Sequence, residues 1–308
     1  MKQTLVIGST VVDVVLSLPR LPRRGEDINI GPSVCRLGGC AYNVFKTLRL
    51  FQSPAQLCSP VGSGIYGRMV EEGLAREGIE PFVRLEAENG CCYCLVEADG
   101  ERSFLSWHGA EYLFSRSWMK KPDYSRIDSV FICGIEVEEP SGDELVEFVL
   151  EHPELDLYFA PGPRITRIPR RRVERLLARR GANGGPFLHL NEAEAAAFSG
   201  KNDVATAAEV LAKMTGNGLV ITLGERGCYC REKDADAGFF VPGAAARVID
   251  TVGAGDAHCG ALIAGFKQGR GLREACGIAN KIGAAVVGMH GTTPDSLPGE
   301  DSPLPLPG

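Results

Sequence analysis

The 308-residue chain sets 33 lysines and arginines against 39 aspartates and glutamates, a formal net charge of −6. That balance leaves no general basic field to hold DNA, RNA or an acidic membrane. With 44% apolar, 23% charged and 7% aromatic residues, the composition is that of a globular protein rather than a disordered chain.

The length suits either two structural units or one large α/β domain with a small appendage, and a single domain over residues 1–308 is expected. No internal repeat is visible, and no uncharged apolar stretch approaches the roughly 18 residues of a membrane helix. The run Leu5-Val6-Ile7 reaches Asp13 without an A-x-A-like cleavage site, so no signal peptide is expected. Eleven cysteines include the tight groups Cys91-Cys92-Tyr93-Cys94 and Cys228-Tyr229-Cys230 inside strand-like runs. These read as reduced cytosolic thiols, and hence a cytoplasmic protein, ahead of a zinc site or a disulfide set.

In chain order, near-continuous apolar runs predict strands at Thr4 to Ile7, Gln56 to Val61, Ser129 to Cys133, Leu155 to Phe159, Pro186 to Leu190 and Leu219 to Leu223. Runs of this kind are expected where both faces of a sheet are covered. A helix opening near Gly39 would place Ala41, Val44, Phe45, Leu48 and Phe51 on one face; others are predicted at about 64–77, 141–151, 203–214, 255–267 and 272–288. The alternation predicts an α/β fold with a mostly parallel central sheet and helices on both faces.

Two segments break the rhythm. Val11 to Ile30 is strand-like around a Pro-Arg-Leu-Pro-Arg-Arg-Gly turn, and Cys91 to Trp107 reads as a hairpin turning at Asp99-Gly100. Together they predict a small antiparallel sheet serving as a lid over a cleft or as a dimer surface. Eight arginines lie in the 17 residues 164–180, with Pro169 suited to a first helical turn and Gly181 to a stop; a solvated amphipathic helix is expected rather than a nucleic-acid patch. The tail from Thr292 to Gly308 holds five prolines and is expected to wrap the surface or stay disordered.

The most informative stretch is Asp250-Thr251-Val252-Gly253-Ala254-Gly255-Asp256, followed by Ala257, Gly260, Ala261, Ile263 and Ala264 at helical spacing. Glycines opening a helix let backbone N–H groups converge where the helix dipole adds positive potential, a ready anion site. A carboxylate there suits phosphoryl transfer to an alcohol: the cradle takes developing phosphate charge and Asp256 meets the hydroxyl proton. A plain helix cap explains the same spacing equally well. At a helix N-terminus Asp256 is expected to have a lowered pKa. There is no G-x-x-x-x-G-K-[ST] and no G-x-S-x-G, and His258 stands where a dinucleotide fingerprint after Gly253-x-Gly255 needs its third glycine.

Asp250 to Asp256 resembles the signature of the ribokinase, or PfkB, family of sugar and nucleoside kinases. Gly38-Gly39-Cys40-Ala41-Tyr42-Asn43 resembles the family's Gly-Gly-x-x-x-Asn sugar turn, Asn191-Glu192-Ala193-Glu194 its N-x-x-E motif, Thr222 to Gly227 its nucleotide loop, and Val6 through Asp13 its first strand with the substrate carboxylate. The matches run in the family's order from about Val6 to Pro298. The resemblance implies a ribokinase-like fold with a small β lid, a homodimer, and an ATP-dependent kinase using Mg²⁺ and in some members K⁺. It implies Asp256 as base with Gly253, Ala254 and Gly255 as anion hole; Asp13, Gly38, Gly39, Asn43 and, more loosely, Glu136 on the substrate; Asn191, Glu194, Thr222, Gly224, Gly227 and Asn280 on the nucleotide. Glu194 would stand near magnesium, through water, and Asp250 with the Val252 carbonyl would match part of a monovalent-cation site.

Taken singly, Asp13 reads as well as a turn or cap residue, Asn43 as an exposed helix amide, Asn191 and Glu194 as a capping box, and Thr222 to Gly227 as a hairpin turn. Departures bear on the substrate. Val11 stands where ribokinases proper have asparagine, Cys40 and Tyr42 alter the sugar turn, and Ala160-Pro161-Gly162-Pro163-Arg164 lacks the Asp and Asn of the D-P-N-x-R version. Trp107 and His108 could reach substrate or serve as core or interface aromatics. The expected acceptor is a sugar or sugar-like alcohol, with an adenosine- or pseudouridine-like nucleoside as alternative and a non-catalytic sugar sensor behind it.

Overall fold

The computed structural model describes residues 1–181, 183–294 and 296–297. The expectation for the proline-rich tail therefore falls, from Pro298 to Gly308, outside the described residues. The strands are β1 Gln3–Ile7, β2 Val11–Ser17, β3 Ser33–Gly38, β4 Ala55–Cys58, β5 Pro60–Ser63, β6 Val83–Glu88, β7 Cys91–Val96, β8 Arg102–Trp107, β9 Ile127–Cys133, β10 Asp156–Ala160, β11 Phe187–Asn191, β12 Leu219–Thr222, β13 Cys228–Arg231 and β14 Phe239–Val241. The helices are α1 Cys40–Leu50, α2 Gly64–Arg76, α3 Gly134–Glu138, α4 Gly142–Glu151, α5 Arg170–Ala178, α6 Glu192–Ser199, α7 Val204–Thr215, α8 Ala254–Lys267 and α9 Leu272–Val287.

Eight strands form the central sheet in the order β14-β13-β12-β11-β10-β9-β1-β4. All its pairings are parallel except β12 with β13 and β13 with β14. Alternation along each strand feeds both faces. On β9, Val130 and Ile132 join Leu145 and Val149 of α4 and Leu176 of α5, while Phe131 and Cys133 join Val44 and Leu48 of α1 and Ile263 of α8. Each such buried side chain contributes about 1.5–3 kcal/mol, so helices are held on both sides and the strands read as unbroken apolar runs.

The second sheet runs β3-β2-β7-β8: two antiparallel hairpins joined by a parallel pairing of β2 with β7. The hairpin at Asp99-Gly100 lies where expected, with Gly100 at φ 89°. The other arm differs from the expected 11–30: β2 ends at Ser17 and the return strand is Ser33–Gly38. Pro19, Pro22 and Pro32 lie between and cannot donate to a ladder. The run from Gln56 to Val61 is also two strands, because β5 leaves the central sheet to pair with β6.

The arginine-rich helix is less solvated than expected. Arg172 and Arg179 are buried. Arg172 donates to the carbonyls of Val137, Glu138 and Glu139, and Arg179 to those of Val149, His152 and Leu155. These guanidiniums satisfy carbonyls at the ends of α3 and α4 that have no helical partner. All eleven cysteines are free; Cys228, Cys230 and Cys276 bring their sulfurs within 4.8 Å of one another. Among the described residues, no helix is long and apolar enough to cross a membrane.

Candidate active site

Strands β1, β9, β11 and β12 all deliver their carboxyl ends to one edge of the sheet, where open α/β folds bind ligands. The N-terminus of α8 faces that edge. Its cap, Gly253, takes φ 77°, and a β-carbon there would lie 2.7 Å from the side chain of Thr292. Only glycine adopts this turn without strain. Ala254 N–H donates to the Thr251 carbonyl and Ala257 N–H to that of Gly253, leaving the Gly255 and Asp256 N–H groups with no backbone acceptor among the described residues. At Gly255 a β-carbon would meet nothing within 4 Å. The first turn thus offers unpaired donors, reinforced by the helix dipole, to whatever anion lies outside.

Asp256 is in place because α1 and α8 pack closely: Gly260 lies so near Thr47 that an added β-carbon would come within 2.7 Å. That contact brings Asn43 of α1 to Asp256, and Asn43 Nδ2 donates to its carboxylate at 2.8 Å. Asn43 is buried, and its Oδ1 has no hydrogen-bond partner among the described residues. A buried amide oxygen left open needs a donor such as a hydroxyl. Contrary to the lowered pKa expected from the helix dipole, Asp256 is pushed up to about 6. Burial is the main cause, with Glu136 and Glu194 adding to it against the Asn43 and Cys40 hydrogen bonds. Desolvation of the carboxylate outweighs the favourable helix end.

On the lid side, Asp13 is pushed up to about 6, first by burial, with Asp256 and Asp250 adding and Arg36 opposing. Asp13 and Arg36 are cross-strand neighbours on β2 and β3. Gly38 and Gly39 make room: a β-carbon on Gly38 would fall on the Asp13 carboxylate, and one on Gly39, at φ 98°, would lie 2.6 Å from the Ser9 carbonyl. Glu136 stands behind the cavity wall. It is buried, accepts from Ser9 N–H at 2.8 Å and from the Cys133 thiol, and is raised by burial. Its geometry is that of a support for the end of β1. Tyr42 turns away from the site to donate to Glu77 at 2.7 Å, whereas Cys40 borders the cavity beside Asp256. Trp107 is edge-on to Tyr66, and His108 stacks on Tyr112 beside Glu139.

Two cavities meet at α8. One, of about 290 Å³, runs along Thr222, Gly224 and Gly227 to His258, Asn280 and Gly283. The other, of about 160 Å³, lies among Cys40, Gly134, Asn191, Glu194 and Asp256. Thr222 and Gly255 border both. Asn191 and Glu194 form a full capping box on α6: the Asn191 side chain accepts from Glu194 N–H and the Glu194 carboxylate from Asn191 N–H. Cap and site are compatible, since the same carboxylate, raised by burial, still faces the cavity. Gly224 at φ 61° and Gly227 at φ 94° turn the chain between β12 and β13, so the hairpin reading also holds. Asn280 lines the larger cavity, but its amide is committed: Nδ2 donates to the Val241 and Pro242 carbonyls and Oδ1 pairs with His258. His258 in turn pairs with His189, which burial, followed by its neighbour, holds down to about 3 and hence neutral.

The donor set fits a hydrated magnesium ion: Glu194 and Asp256 face one cavity, and a hard cation keeping its waters would satisfy both. A monovalent cation does not fit at Asp250. That carboxylate accepts from Val252 N–H at 2.9 Å and from Arg102, and its second oxygen lies 3.7 Å from Arg36. Neither arginine stands out in the sequence, nor do Ser9 and His189, and His258 does so only as the residue that breaks a dinucleotide fingerprint. Arg102 and Asp250 are 148 residues apart, and they meet only where the start of β8 packs against the loop before α8.

A model described as pfkB family carbohydrate kinase matches residues 1–299. An uncharacterized sugar kinase of Escherichia coli, YegV, is 32% identical over 295 residues, covering 94% of this chain and 90% of the relative. Ribokinase of Arabidopsis thaliana, solved with ribose and ATP, superposes with a TM-score of 0.76 at 18% identity, covering 96% of each chain. The nucleoside kinase of Burkholderia thailandensis, solved with inosine, gives 0.74 at 20% identity, covering 97% of this chain and 95% of that one.

Proposed function

The chain belongs to the pfkB family of carbohydrate kinases, and from that premise we propose that it transfers the γ-phosphoryl group of ATP to a hydroxymethyl group of a sugar or sugar-like alcohol, with Asp256 as base. The observation that carries this reading is the meeting of two cavities at the N-terminus of α8, with Asp256 and the open amide oxygen of Asn43 on the acceptor side.

Asp13 and Asn43 take the acceptor's hydroxyls: the carboxylate accepts, and the amide oxygen receives the hydroxyl proton its burial lacks. The reacting oxygen lies toward Asp256. A carboxylate near pKa 6 is a better base at neutral pH than an ordinary aspartate and is still ionised there. Asp256 takes the proton late, as a loose transition state requires, while the open backbone N–H groups of Gly255 and Asp256 hold charge on the transferred group; of the stretch Gly253 to Gly255 expected to do this, Ala254 has its N–H committed to the Thr251 carbonyl. ATP lies along Thr222, Gly224 and Gly227, its base end in the pocket that Asn280 keeps open by tying the β14 exit to His258. Glu194 and Asn191 would hold magnesium through water, and the ion would supply charge neutralisation on the phosphates. The lid strands β2, β3, β7 and β8 keep water from the site within this single domain.

The test is ADP release with ATP and Mg²⁺ across sugars, sugar acids, polyols and nucleosides. Turnover of one acceptor class supports the reading and names the substrate; ATP binding without turnover of any acceptor favours the sugar sensor. We place a second copy on the lid edge, where β8 exposes Phe104, Leu105 and Trp107. Leu105→Glu should then sediment as a monomer at concentrations where the parent is a dimer.

A further inference from the structure

Asp250 begins the loop that carries the anion hole, and its environment is unlike that of a cation ligand. Its side chain is 8% exposed. One oxygen receives the Val252 N–H and the Arg102 guanidinium, and the other faces Arg36 at 3.7 Å. Arg102 also donates to the Ile249 carbonyl at 3.3 Å, so it grips the loop at two consecutive residues. Both arginines come from the lid: Arg36 from β3 and Arg102 from the start of β8. Asp13 completes the cluster, its carboxyl influenced by both Arg36 and Asp250. Two carboxylates and two guanidiniums leave no net negative charge to attract a further cation. The residual space among Asp13, Arg36, Phe104, Asp250 and Val252, about 20 Å³, is room for about one water.

Building on the kinase reading above, we propose that Arg102, seconded by Arg36, supplies in cis the positive charge beside Asp250 that other members take from a monovalent cation. Turnover then needs no potassium, and the anion-hole loop is fixed only when the lid is closed. Arg102 is a positioning residue: it touches Asp250 and Ile249, and acts on the transferred group through the backbone of Val252 and Gly253. A guanidinium suits this task because it is charged at all working pH values and its planar fork can hold a carboxylate and a carbonyl together.

The first experiment compares ADP release at constant ionic strength with potassium replaced by tetramethylammonium. The expected result is a rate unchanged within about twofold; a tenfold or larger activation by potassium overturns the proposal. The second uses Arg102→Ala, for which kcat should fall about tenfold to a hundredfold, a positioning effect no larger than loss of one oxyanion donor. The fall should be largely reversed by added potassium or free guanidinium and much smaller in Arg102→Lys. An unchanged kcat in Arg102→Ala, or a loss that neither cation relieves in a variant that still melts cooperatively, overturns it. Melting temperature separates this proposal from the kinase reading. If no acceptor turns over, the kinase reading fails, while the parent protein still reports on the site: equal melting in potassium and tetramethylammonium upholds the proposal, and a rise specific to potassium overturns it.

Discussion

The N-terminus of α8 and the lid sheet contribute to the same site in opposite ways. At α8 the groups are contiguous: seven residues, Asp250 to Asp256, supply the turn, the unpaired N–H groups and the carboxylate proposed as base. In the lid it is dispersed, with Asp13, Arg36 and Arg102 on three strands and meaningful only through their pairing. The transfer step needs backbone geometry, which glycine spacing encodes locally. Selection of the acceptor, in the proposed reading, rests on side chains brought together from far apart in the sequence.

The sharpest way to break this division is Asp256→Asn. It keeps the Asn43 hydrogen bond available and removes the base, so kcat should fall about 10²- to 10⁴-fold with the acceptor KM within a few-fold. Unchanged turnover would remove Asp256 from the mechanism. The two glycines give a finer cut. Gly255→Ala adds a β-carbon that meets no protein atom but projects where the two cavities join, so melting should hold while kcat falls at least tenfold. Gly253→Ala forces alanine to φ 77° against Thr292 and should also cost about 1–3 kcal/mol of stability. If both variants lose stability equally, Gly255 is structural.

This difference also explains what was legible beforehand. Helix α8 starts one residue from its expected position because Gly253 marks the cap. The capping box at Asn191 and Glu194 was visible as a local motif, and its place beside the site followed from strand order. The raised pKa of Asp256 was not legible, since it comes from burial against α1 and from Glu136 and Glu194, both distant in sequence. The role of Arg102 was hidden for the same reason. The split of β4 from β5 and the late return of β3 were missed because apolar content does not reveal which sheet a strand joins.

The pH dependence couples the two regions, because Asp13 in the lid and Asp256 on α8 are both raised to about 6. Each must be ionised to act, so kcat/KM should fall as pH drops through about 6, with a slope between one and two protons. For stability the sign is reversed. A carboxyl raised in the folded state binds its proton more tightly there than in the unfolded chain, so folding loses stability as pH rises from about 4 through 6. Asp256→Asn should therefore melt higher than the parent at pH 7, by roughly 1–3 kcal/mol, and the gain should vanish near pH 4. A variant that melts no higher at pH 7 would mean that the folded protein does not strain this carboxylate.

The smallest expected effect separates Glu194's two duties. Glutamine can complete a capping box as glutamate does, so Glu194→Gln should keep α6 capped and leave melting within about 0.5 kcal/mol of the parent. It removes one negative charge from the cavity shared with Asp256. The apparent magnesium requirement should then rise a few-fold at saturating ATP, and the acidic limb set by Asp256 should move down, because Glu194 contributes to raising that group. Asn191→Ala makes the complementary cut: it breaks the cap, costing about 1 kcal/mol, and leaves the charge in place. If Glu194→Gln matched Asn191→Ala in melting while sparing the magnesium requirement and the pH limb, Glu194 would be a helix cap only, and the phosphate side of the site would be carried by α8 alone.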